Sequence, residues 1–180
     1  MLLLKKHNVN MFIYFKTKYI FMIDWYTITV SLFLICFMIW CAYFDIKYRC
    51  VPIKFFNWTM IILYLLIIVL YCIIGWFVIP IITALVLPFL LWFFSKGKYG
   101  AIDARLMMIV LLVIPSLGWQ IFYLGVLVVI TLSMWVITNY ITKSYTEITS
   151  DGEMKCIPQV VSILISFVIC FTIYNFGWFF

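Results

Sequence analysis

Histidine is almost missing from this chain, with His7 the only one. That argues against imidazole-based catalysis and against a histidine metal site. Charge is scarce too, at 10% of residues against 68% hydrophobic. A soluble domain of this length cannot hide so much apolar surface, so lipid must be the solvent for most of it. No stretch is both polar and long enough to make a separate soluble domain. The six cysteines (Cys36, Cys41, Cys50, Cys72, Cys156 and Cys170) never stand at CxxC spacing. Neither a zinc site nor a redox dithiol is indicated, and the thiols read as small core hydrophobes. Gly97 and Gly100 are too sparse for a phosphate-cradling loop, and no cofactor is expected. The net charge of +6 does not point to nucleic acid, because the Lys and Arg residues fall in short loops between apolar runs. There they mark topology and meet anionic lipid headgroups.

What the chain does have is long apolar runs and aromatic side chains, the latter at 21%. A membrane helix needs about 20 apolar residues, and on that ruler the sequence predicts spans at 26–44, 57–75, 76–94, 106–115, 120–141 and 157–176, the fourth being short unless it begins near Ile102. The expected fold is an all-α integral membrane protein, a bundle of about six transmembrane helices. Gly75 and Trp76 alone separate the second and third spans, which suggests a tight helical hairpin. Pro80 and Pro88 are expected to kink the third, and Pro115-Ser116-Leu117-Gly118 breaks the chain after the fourth. Basic residues follow the odd-numbered spans: Lys47, Arg49 and Lys54, then Lys96, Lys98 and Arg105, then Lys143 and Lys155. The positive-inside rule puts those loops in the cytoplasm and both termini outside. Lys5, Lys6, Lys16 and Lys18 disagree with that orientation. Residues 1–21 are therefore read as an extension outside the working protein, with residues 22–180 as the membrane domain.

Six acids are present: Asp24, Asp45, Asp103, Glu147, Asp151 and Glu153. The last three sit in the polar stretch 143–155, where solvation is the plain expectation. Asp45 and Asp103 instead lie at the edges of apolar runs, where a carboxylate is costly and usually functional. Asp45 ends the first span and Asp103 begins the fourth, so both arrive at the cytoplasmic face. Two carboxyl groups at close range share a proton, and such a pair can activate water and polarise a peptide carbonyl. The structural alternatives are a pairing of Asp45 with Lys47 or Arg49 and a helix-capping role for Asp103.

Three segments, in order, extend this reading: Asp45-Ile46-Lys47-Tyr48-Arg49-Cys50-Val51-Pro52, Gly100-Ala101-Ile102-Asp103-Ala104-Arg105-Leu106 and Lys155-Cys156-Ile157-Pro158. Together they resemble the prepilin peptidases, a family of GxGD-type membrane aspartic proteases, and especially the archaeal preflagellin and prepilin peptidases. Ile102 stands where bacterial members have a second glycine, which points to the archaeal branch. Arg105 replaces a common lysine, and Gln159 an aromatic residue. Nothing matches the bacterial cysteine-rich cytoplasmic region, so methyl transfer is not expected. The resemblance implies an aspartic endopeptidase that removes class III signal peptides from membrane-inserted pilin-like or archaellin-like precursors. Its place would be the plasma membrane, multi-pass, with the active site facing the cytoplasm.

Carried over to this sequence, the resemblance makes Asp45 and Asp103 the catalytic pair. Gly100 would allow close approach to substrate or a bend into the bilayer, or be an ordinary loop turn. Arg49, Arg105 and Lys155 would support the site or anchor at headgroups. Pro52 and Pro158 are expected to set helix starts. Two other readings stand beside the peptidase. One is a non-catalytic membrane scaffold with capping acids. The other is a small transporter, disfavoured because both acids lie at one face and not at the midplane.

Overall fold

The computed structural model describes the backbone of residues 2–48, 51–75, 77–94, 100–141, 146–149, 152–155 and 159–176. Side chains are described for 25–48, 51–75, 77–94, 100–137, 140 and 159–175. Backbone amides in an apolar solvent must be satisfied within the segment itself, and a helix does this for a run of any composition. The described residues accordingly form six helices, α1 (Leu2–Tyr48), α2 (Ile53–Ile74), α3 (Val78–Phe94), α4 (Ala101–Val113), α5 (Leu117–Ile141) and α6 (Gln159–Phe176). Hydroxyls inside these helices are folded back on the preceding turn. Thr59 donates to the Phe55 carbonyl, Thr83 to Ile79, Ser133 to Val129 and Ser166 to Ser162, at 2.7–3.0 Å.

Three helical stretches are long and apolar enough to cross a membrane: Trp25–Tyr48, Ile53–Ile74 and Leu117–Ile137. The apolar helices α3 and α6 are shorter, and α4 has only 13 residues. The structure refines the expected elements in two places and corrects them in two. The backbone runs as a single helix from Leu2 through the N-terminal extension into the first apolar run. The fourth element begins at Ala101, so it carries Asp103 within its first turn. Pro80 sits in the first turn of α3, where no helical hydrogen bond is lost, leaving Pro88 as the interior proline. Residues 146–155 are not a plain loop. Strand β1 (Thr146–Thr149) pairs antiparallel with β2 (Gly152–Lys155), with Ile148 opposite Glu153 and Thr146 opposite Lys155. The fold is thus helical as expected, with one short hairpin added between α5 and α6.

Packing also departs from the expected α2–α3 hairpin. Gly75 ends α2 by donating to the Tyr71 carbonyl at 3.0 Å, with φ 101 and ψ 157, a conformation that a β-carbon would strain. Beyond it, α3 packs mainly on α4 and then on α5. Helix α4 is the centre, touching α1, α2, α3 and α6. Leu106, Met107, Ile109, Val110 and Leu111 are all buried, so the helix is apolar around its circumference, as a fully enclosed helix must be. Tyrosines tie the ring together: Tyr71 Oη donates to the Leu112 carbonyl and Tyr26 Oη to that of Leu66, each at 3.0 Å. The outer helices turn apolar side chains outward instead. Ile121, Val128, Val129, Leu132 and Val136 make one exposed stripe on α5, a surface suited to lipid and not to water.

Candidate functional site

Asp45 stands in the last turn of α1, on the helix whose upstream residues Leu34, Met38 and Cys41 are buried in the core. Its side chain is half-buried, and one oxygen, Oδ2, is shut off from solvent. Asp103 lies in the first turn of α4, ahead of the enclosed apolar residues and outside the three membrane-length stretches. Because α1 and α4 pack together, the two carboxyl groups come close enough for the charge of Asp45 to act on Asp103. Burial, and then that charge, raise the Asp103 carboxyl from the usual 3.8 to about 7, against an opposing hydrogen bond from the Gly100 backbone. Near neutral pH this group therefore exists in both protonation states.

Gly100 explains how Asp103 is held. It is the N-cap of α4 in ordinary extended backbone, φ −61 and ψ 140, so its lack of a side chain is not a conformational requirement. The requirement is space, since a β-carbon there would come 2.5 Å from Asp103 Oδ2. The Gly100 N–H donates to that carboxylate, as an acid at the third helical position does in a capping box. The glycine thus makes room for an acid three residues later on the same chain.

The basic residues divide differently. Arg105 is exposed and donates from Nη1 to Asn57 Oδ1 of α2 at 3.2 Å, so it ties α4 to α2. Lys47 donates to Tyr43 Oη at 2.9 Å and lies over the rings of Tyr43 and Tyr48, at 5.3 and 5.0 Å. Arg49 lies outside the described residues, and Lys155 is placed only as backbone in β2. Pro52 is the N-cap of α2, a position that needs no amide hydrogen, while Pro158 lies outside the described residues.

One neighbour escaped sequence reasoning. Cys41 is fully buried one turn before Asp45, and the charges of both Asp45 and Asp103 reach its thiol. The four-residue spacing put it on the Asp45 face, but a cysteine in an apolar run reads as one more core hydrophobe.

No protein-family model, curated protein or solved structure matches the chain.

Proposed function

We propose that the chain is a membrane aspartic endopeptidase of the prepilin and preflagellin peptidase type, with Asp45 and Asp103 as its catalytic pair. The observation that carries this reading is the approach of two carboxyl groups from different helices, one raised to about 7 by burial and by the other's charge. In the proposed reaction the ionised carboxylate takes a proton from a water held between the pair. The water oxygen bonds to the carbonyl carbon of the scissile peptide, while the protonated carboxyl gives its proton to the carbonyl oxygen. Collapse of the tetrahedral carbon breaks the C–N bond, and a proton passes to the leaving amine. The substrate would be a pilin-like or archaellin-like precursor, its basic leader in the cytoplasm and its apolar helix in the bilayer. A six-span topology with the site at the cytoplasmic face of the plasma membrane completes the proposal, and the positive-inside pattern supports it.

The test is co-expression of the full chain with such precursors, scored by the size of the product. Asp45→Asn and Asp103→Asn should each abolish the shift while the protein still inserts and keeps its helix content. Processing that persists in either variant defeats the proposal.

The Gly100 N–H bond to Asp103 favours a second reading, in which Asp103 serves only to cap α4 in a non-catalytic scaffold. On that reading Asp103→Asn lowers the melting temperature, Asp45→Asn changes nothing, and the purified protein leaves every precursor intact.

A further inference from the structure

At the end of the helices remote from Asp45 and Asp103 lies a cavity of about 650 Å³, walled by parts of α1, α2, α4, α5 and α6. Fourteen residues separate its wall residue Ser31 from Asp45 along α1, a rise of roughly 21 Å. Among the described residues no charged side chain lines it. Its inner wall includes Val113, Phe167 and Cys170, all buried. Of its polar wall residues, Thr27 and Ser31 lie on α1, while Ser116 and Asn175 stand where α4 gives way to α5 and where α6 ends. Trp119 and Tyr174, in an edge-to-face contact at 5.3 Å, also line it, and such rings typically mark the depth of lipid headgroups.

An empty pocket of this size with a mainly apolar wall is unfavourable, because the wall atoms lose their packing partners. Water is a poor filler, since apolar cavities tend to stay dry. The apolar outer surface of α5 says what surrounds the protein, and that medium supplies uncharged chains with a polar end. We propose that this cavity holds one acyl chain of a phospholipid, its ester region at Ser116 and Asn175 and its tail against Phe167 and Cys170. The inference rests on the membrane reading of the helices and stands apart from the peptidase reading.

Native mass spectrometry of the full chain, purified and washed in detergent, should show one phospholipid retained per chain. Cys170→Phe, which fills the inner wall, should lose that lipid while circular dichroism shows unchanged helix content. In vesicles of phosphatidylcholine with brominated chains, quenching of the wild-type fluorescence should exceed that of Trp119→Phe. Absence of a retained lipid overturns the proposal, as does a folded Cys170→Phe that still retains one. If Cys170→Phe does not fold, the brominated vesicles decide, and equal quenching in wild type and Trp119→Phe counts against the lipid. Displacement of the lipid by a precursor peptide, or a second copy of the chain in its place, also overturns it.

Discussion

The two ends of α4 handle polarity in opposite ways. At the C-terminal end, the buried Gln120 of α5 directs its Nε2 at the carbonyls of Leu111, Ile114 and Pro80, at 2.8, 3.1 and 3.0 Å. One amide group closes the open end of α4 and ties it to α3 and α5, while Gln120 Oε1 has no hydrogen-bond partner. At the N-terminal end, one acid would suffice to cap the helix, and Asp103 already takes the Gly100 N–H. A second carboxyl, Asp45, is brought beside it from α1 and makes the first harder to ionise. The first arrangement relieves an electrostatic problem, and the second creates one. The proposed catalytic role would draw on that second arrangement.

Four measurements would break or sharpen that contrast. The largest effect is expected from pH. If a proton must stay on Asp103, cleavage should fall about tenfold per pH unit above roughly 7, in a pH–rate profile on vesicles. Stability should follow the same group. Its proton is held more tightly in the folded chain than in the unfolded one, so its contribution is greatest below the ordinary value of 3.8. That contribution declines as pH rises and is gone above about 7.

Next comes Gln120→Leu, which leaves the end of α4 without its donors and should cost about 2 kcal/mol in detergent unfolding. Cleavage per folded molecule should not change. Gly100→Ala should do the reverse, since the new methyl group pushes the Asp103 carboxylate aside. Cleavage would drop roughly tenfold with little change in melting temperature. A Gly100→Ala variant that loses stability but not rate would make both ends of α4 structural and erase the contrast. The smallest effect belongs to Arg105→Ala, which loses one exposed bond to Asn57 and should change cleavage less than about twofold.

Much of the helical plan was legible because its signal is composition over many residues. The apolar runs at 26–44, 57–75 and 120–141 fall within α1, α2 and α5, apart from Gly75 at the end of the second. Packing was not legible in the same way. Nothing in Gly75-Trp76 says that α3 leaves α2 for α4, since that depends on one backbone conformation and on distant surfaces. The hairpin did leave a trace, in Thr146-Glu147-Ile148-Thr149 with its alternating side chains and the glycine at Gly152. The polar character of the segment pointed to solvation instead. Asp45 and Asp103 stood out because acids are so rare in this chain, and topology then set them at one face. Gln120 gave no such signal, for a single amide near the start of an apolar run has meaning only once the carbonyls that it meets are known.

The shortness of α4 has a consequence for the bilayer itself. Thirteen residues rise about 20 Å, some 10 Å less than a hydrocarbon core. A lipid-facing helix of that length would force the membrane to thin around it, but α4 is sheathed by its neighbours and is free of that demand. On the six-span reading proposed above, a helix this short leaves at least one tip below a membrane surface. Were that tip the one with Asp45 and Asp103, solvent would have to descend below headgroup level to reach them, and a peptide buried there would meet its water in a sunken well.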